Sequence, residues 1–108
     1  MSILDQRVVR EAVQRLLKAA PRGSDVILFG SYARGTPAED SDLDFLIVEP
    51  QVNGRRAEMV RLRQVLRPLC IPVDVLVVSK EVFDGWKNTP NTVIYEAAKE
   101  GLVFNDAA

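Results

Sequence analysis

A chain of 108 residues, with apolar and charged fractions close to the globular average, supports one domain (1–108) around one core and leaves no room for a second. Its net charge of −1 excludes a global basic field of the kind that holds nucleic acid nonspecifically, so nucleic acid is not the expected partner. It has no histidine and a single cysteine, which excludes histidine-based zinc sites, Ser-His-Asp triads and an internal disulfide, and favours a reducing compartment. No apolar run approaches the roughly 20 residues of a membrane span, and the N-terminus mixes charged with apolar residues, unlike a signal-peptide core. The expectation is a soluble, cytoplasmic protein with no membrane partner.

In chain order, residues 3–20 read as an amphipathic helix. Val8, Val9, Ala12, Val13, Leu16, Leu17 and Ala20 share one half of the wheel, and Pro21 with Gly23 stops it. Residues 26–30 form a short apolar strand, residues 31–35 a helical turn, and residues 36–41 a polar loop. Residues 42–48 form the second strand, and the short loop before it predicts an antiparallel pair. Residues 55–67 form a second long helix with Met59, Leu62, Leu66 and Leu69 on one side and Pro68 at its end. Five of its arginines, Arg55, Arg56, Arg61, Arg63 and Arg67, read as a solvated face, with partner docking as the alternative. Cys70, between Leu69 and Ile71, reads as a small core residue. Residues 73–78 form the third strand. Ser79 is a candidate N-cap for a short helix carrying Val82 and Phe83. Phe83 and Trp86 read as cover for the core, an exposed tryptophan being instead the mark of an interface. Residues 92–100 form a last helix on which Tyr95 packs, Gly101 is its C-cap, and residues 102–104 add an edge strand. Alternating helices and strands predict an α/β (α+β) fold, a small mixed sheet with helices against it.

The chemistry concentrates in Phe29-Gly30-Ser31-Tyr32-Ala33-Arg34-Gly35 and in the acids that follow. The stretch fits neither G-x-x-x-x-G-K-S/T nor G-x-G-x-x-G. It does place a glycine and a serine at a strand end opening a helical turn, where Gly30 allows close backbone approach and Ser31 with the turn's N–H groups can hold an anion. Asp42 and Asp44 then project from one face of a strand, and Asp74 interrupts an otherwise apolar third strand. Burying such carboxylates together opposes their ionisation unless a cation neutralises them. Oxygen-only ligands favour Mg²⁺, with Mn²⁺ as an alternative. Two such ions about 3.5–4 Å apart can hold both the attacking and the leaving oxygen of a phosphoryl transfer. The opposing reading, two exposed acids on an edge strand, conflicts with the apolar run that begins at Phe45. Asp74 could instead bond a turn after Pro72. Arg34 could contact a triphosphate or an acceptor, pair with Glu39 or Asp40, or be solvated.

Gly30-Ser31, then Asp42-Leu43-Asp44 after ten residues, with Asp74 on a later strand, resembles the DNA polymerase β-type nucleotidyltransferase superfamily. The forms Gly-Ser-Tyr-Ala-Arg-Gly and Ser41-Asp42-Leu43-Asp44-Phe45-Leu46-Ile47-Val48 are similar to its minimal members, the MNT proteins, and the likeness reaches the Ile94-Tyr95-Glu96-Ala97 helix and Gly101. The resemblance implies that Asp42 and Asp44 ligate two Mg²⁺ ions and that Asp74 completes the site and assists deprotonation of an acceptor hydroxyl. It implies that Gly30 and Ser31 bind the β- and γ-phosphates of a nucleoside triphosphate, ATP being favoured, with Arg34 a further nucleotide-binding candidate. The implied activity is transfer of a nucleoside monophosphate to a hydroxyl. The implied setting is that of an antitoxin beside a HEPN-type toxin, with a tyrosine of that partner as acceptor. No added domain is present to hold a small acceptor, which favours a protein one. Two alternatives stay open: an antitoxin that binds without chemistry, and a homodimeric nucleotidyltransferase acting on an aminoglycoside-like small molecule.

Overall fold

In a computed structural model of the chain, the described residues are 5–38 and 41–105. Helix α1 (Gln6–Ala19) starts where the Asp5 carboxylate accepts the Arg7 amide at 2.8 Å, satisfying one of the donors that a helix start leaves unpaired. The expected start at residue 3 lies outside the described residues. Strand β1 (Asp25–Phe29), helix α2 (Ser31–Arg34), strand β2 (Leu43–Glu49) and helix α3 (Arg55–Val65) follow. A 3₁₀ turn (Arg67–Leu69) leads to β3 (Val73–Ser79), α4 (Lys80–Trp86), α5 (Val93–Glu100) and β4 (Leu102–Asn105). The Ser79 hydroxyl accepts the Val82 amide at 3.1 Å, and the Thr92 hydroxyl accepts the Tyr95 amide at 3.1 Å. Both short helices thus begin on side-chain caps. Among the described residues no helix is long and apolar enough to cross a membrane.

The strands form one mixed sheet in the order β3-β2-β1-β4. β1 is antiparallel to both β2 and β4, and β2 is parallel to β3. The connection after β1 holds only the four-residue α2 and turns back, whereas α3 supplies the crossover of the parallel pair. Alternate residues of each strand face opposite sides. On one side Val26, Leu28, Leu43, Phe45 and Ile47 pack with Ala12, Val13 and Leu16 of α1 and with Leu62 and Leu66 of α3. On the other, Ile27, Phe29, Leu46, Val48 and Val78 pack with Ala97 of α5, and Phe83 and Ile94 join them. The outer edge of β4 leaves Leu102 and Val103 about half exposed.

Three expectations change. Cys70 is exposed, not a core residue. It caps the 3₁₀ turn with a φ of 51°; Leu69 and Ile71 on either side pack on the first core, and the chain reversal carries the thiol outward. Trp86 does not cover the core. On α4 only Phe83 faces the sheet, and Val82 and Trp86, one turn apart, flank it with Trp86 half exposed. Helix α3 ends at Val65, ahead of the 3₁₀ turn that accommodates Pro68. Gly101 does cap α5, its amide closing on Ala97 O at 2.9 Å, but with a φ of −74°. Glycine is required there because a Cβ would run into Ala97 O and Ile27 Cγ2, where α5 meets β1.

The arginines of α3 are not a uniformly solvated face. Arg55 donates to Val77 O at 2.6 Å, and Arg61 donates to Ala19 O at 2.9 Å and to Glu58 at 2.8 Å. Arg61, exposed, and Glu58, half-buried, cover a buried carboxyl at the end of β2. Glu49 is 2% exposed, and its Oε2 has no hydrogen-bond partner among the described residues. Burial, with a hydrogen bond and charge from Glu58, pushes the Glu49 carboxyl up to about 8. Hydrogen bonds from Arg61 first, and then from Glu49, hold Glu58 well below the usual range. Glu49 thus carries the proton of the pair in the folded protein.

The sign of the resulting pH dependence follows. Unfolded Glu49 loses its proton near its ordinary value of 4.5, while folded Glu49 keeps it to about 8. The contribution to stability is fully present below the lower value and is lost as pH rises through the upper one. Urea denaturation midpoints should therefore fall as pH rises across that window, and Glu49→Gln should flatten the profile. A slope unchanged in the variant would show that another group is responsible.

Candidate active site

Register brings the sequence-predicted acids to one end of the sheet. Asp44 of β2 lies opposite Phe29, the last residue of β1, and on its other side pairs with Asp74 of β3. Leu43, Phe45 and Ile47 point into the first core, so Asp44 must project on the other face, in line with Leu46 and Val48. Asp74 shares that face with Leu76 and Val78. Asp42 stands one residue ahead of β2 and is exposed. Asp74 is exposed as well, because β3 is the sheet's edge, and its Oδ1 lies 3.4 Å from Arg63 Nη2. Of the three aspartates expected among hydrophobic neighbours, only Asp44 is partly buried.

That burial is the largest cause of an upward shift in the Asp44 pKa, and the charges of Asp74, Asp42 and Glu96 add to it while Arg34 opposes them. Gly30 makes the arrangement possible. It has a φ of +80°, and a Cβ at this position would run into Asp44 Oδ2. Glycine is demanded twice, by a backbone conformation other residues rarely adopt and by the nearness of the carboxylate. Immediately after it, α2 makes its first internal bond from the Arg34 amide to Gly30 O at 3.1 Å. The amides of residues 31–33 precede that bond, beside the half-buried Ser31 and at the same strand end as Asp44.

Arg34 takes partners that adjacent sequence did not suggest. Its Nη1 lies 3.4 Å from Glu96 Oε1 and 3.2 Å from Glu100 Oε2, both on α5. Glu39 and Asp40, the partners considered from sequence, lie outside the described residues. Glu96 is the residue that sequence reasoning missed: it brings a third negative charge, after Asp74 and Asp42, to bear on Asp44. The available signal was its spacing from Glu100, one helical turn, which a single arginine can bridge.

The donor set is all oxygen and all anionic. Among the described residues no three Asp, Glu, His or Cys side chains are already drawn together closely enough to hold a metal. The like-charge repulsion that lifts Asp44 is nonetheless of the kind a hard divalent cation relieves, and exposed Asp42 and Asp74 have the rotameric freedom to turn toward one. The donor set therefore fits such an ion at the strand end where α2 begins.

A family model described as a nucleotidyltransferase domain matches residues 7–102. Two proteins of Methanocaldococcus jannaschii, both named provisionally as protein adenylyltransferases, are similar to the chain. One is 35% identical over 60 residues, covering 51% of this chain and 41% of that protein. The other is 48% identical over 46 residues, covering 41% and 45%. Each match spans less than half the length of the relative. Among solved structures, a mutant of the toxin–antitoxin MntA–HpeT superposes with a TM-score of 0.60 at 17% identity, covering 96% of this chain and 76% of that one. At that identity the likeness supports the mixed-sheet fold.

Because ionised Asp44 opposes folding, replacing it should stabilise the cation-free protein. Its contribution is favourable below the unfolded pKa and lost as pH rises through the raised folded one. Asp44→Asn should raise the melting temperature near neutral pH in the presence of a chelator, with the gain vanishing in acid. Gly30→Ala should lower it, by about 1–3 kcal/mol in stability for the strained backbone alone. Calorimetry of the variants decides both, and a melting temperature lowered by Asp44→Asn would contradict the electrostatic account.

Proposed function

The chain belongs to the nucleotidyltransferase domain family, and from that premise we propose that it transfers a nucleoside monophosphate, AMP from ATP, to a hydroxyl of a partner protein. The observation that carries the reading is the pairing of Asp44 with Asp74 beside a glycine that must leave space for the Asp44 carboxylate. Ser31 and the amides opening α2 bind the outer phosphates, and Gly30 lets them approach the backbone. Arg34 exchanges its α5 carboxylates for the triphosphate. Asp42 and Asp44, with Asp74, hold Mg²⁺, with Mn²⁺ as the second candidate; the cation, when bound, neutralises the phosphates and the departing pyrophosphate. Asp74, exposed at the sheet edge, accepts the proton of the incoming hydroxyl. The acceptor oxygen forms a bond to the α-phosphorus, the bond to the bridging oxygen breaks, and pyrophosphate leaves.

The similarity to proteins named as adenylyltransferases supports a protein acceptor. The motif resemblance to minimal nucleotidyltransferases extends the proposal to an antitoxin role in the cytoplasm, with a tyrosine of a HEPN-type toxin as that acceptor; a structure of the same fold belongs to the toxin–antitoxin MntA–HpeT. The experiment adds the purified protein, Mg²⁺ and ATP labelled on the α-phosphate to a lysate of the source cells. Wild type should label a protein band that the Asp42→Asn, Asp44→Asn double variant does not, with a loss of at least about a hundredfold. No label in either case, with one partner co-precipitating equally with both, would replace transfer by an antitoxin that acts through binding alone.

A further inference from the structure

The sheet face that carries Asp44 and Asp74 continues into a groove. Leu46 and Leu76, the next residues of the same parity, pair in register and form the floor of a cavity of about 600 Å³. Val82 and Trp86 of α4 wall one side, Val93 and Ile94 of α5 the other, and Arg55 stands at the far end, where β3 finishes at Ser79. The lining is almost wholly apolar yet open to solvent: Val82 is 43% exposed, Val93 45% and Trp86 50%. Convergence of large exposed apolar side chains from separate elements marks a contact surface.

The groove's polar groups narrow the occupant. The Ser79 hydroxyl accepts the Val82 amide, and the Thr92 hydroxyl accepts the Tyr95 amide and donates to Thr89 O. Of the two hydroxyls only that of Ser79 keeps its O–H to donate, a sparse set for reading the edge of a nucleobase. Arg55 donates through Nε to Val77 O at 2.6 Å, and its terminal nitrogens have no hydrogen-bond partner among the described residues. No carboxylate lines the groove itself; Asp44 and Asp74 stand two residues back along the same strands, Leu76 is the part of the floor that is not fully buried, and Arg55 stands at the other end. We infer that it seats the acceptor as an extended segment of the partner protein, with a hydroxyl residue at Asp74, an apolar side chain over Leu76, and an acidic residue against Arg55. An extended segment advances about 3.3 Å per residue, as β3 does. Positions zero, two and four of the segment then match Asp74, Leu76 and the Arg55 end. Charge complementarity selects this polarity, since an acidic residue near Asp44 or a basic one near Arg55 would be repelled. This inference rests on the nucleotidyl-transfer reading for the identity of its occupant.

Trp86 is the chain's only tryptophan, so its fluorescence reports the groove. The full chain is titrated with an end-blocked Tyr-Gly-Leu-Gly-Glu peptide and with its Tyr-Gly-Leu-Gly-Lys counterpart. The acidic peptide should give a saturable change, about tenfold weaker for the lysine peptide and for the Arg55→Glu variant. Val93→Asp, at an exposed position, should abolish it with an unchanged circular dichroism spectrum. No saturable change at millimolar peptide, or equal binding of both peptides, overturns the inference. So does Mg-ATP that alone saturates the change and excludes the peptide, which would make the groove a nucleobase site. The labelling assay separates the two readings. Equal labelling by wild type, Arg55→Glu and Val93→Asp refutes the groove and keeps transfer. Peptide binding with the predicted charge preference, but no transfer to any protein, supports the groove and refutes transfer.

Discussion

Strand β2 has a hydrogen-bonded neighbour on each edge and a hydrophobic core on each face, and the rest of the structure depends on that enclosure. Leu43, Phe45 and Ile47 commit one face to the core under α1 and α3, so Asp44, Leu46 and Val48 have only the other. A slip of one residue would exchange the two sets and drive Asp44 into a core with no cation to receive it, at a cost of several kcal/mol. The packing that stabilises the sheet is thus also what aims the carboxylate. Truncating Phe45 alone would remove about 3–5 kcal/mol, a large part of what a domain of this size has to lose.

Much of this was legible because the signals are local. The apolar stripe of α1, the cap at Ser79, the antiparallel pairing of β1 with β2, and the edge strand after Gly101 all lie close in sequence to what causes them. The Gly30-Ser31 and Asp42-Leu43-Asp44 spacing was readable for the same reason. What escaped depends on residues distant in sequence. Asp74 is exposed because β3 ends the sheet, a fact of strand order that no local pattern contains. Cys70 faces outward because a chain reversal, and not its apolar neighbours, sets its direction. The partners of Arg34 sit on α5, and Glu49, next to Pro50 and so resembling a polar turn residue, is buried by α3.

The charges around Asp44 arrive from separate elements: Arg34 on α2, Glu96 on α5, Asp74 on the neighbouring strand and Asp42 just ahead of β2. Segments distant in sequence therefore share in setting the potential at one carboxylate. Only Asp44 bears the penalty of partial burial, while Asp42 and Asp74 stay in solvent. Within this cluster the electrostatic cost of burial therefore falls on Asp44 alone.

The two edges of β1 are covered by very different routes. One takes β2, which follows after a short connection, and the other takes β4, whose Asn105 side chain donates to Asp25 across 80 positions of sequence. Until that distant segment arrives, a strand that is apolar from Val26 to Phe29 presents an open row of amides and carbonyls. Loop closure over such a separation is slow compared with hairpin formation. The nascent chain must therefore pass through a state with an unguarded sheet edge, and its passage through that state, more than the depth of the final energy minimum, governs how much of it escapes aggregation during synthesis.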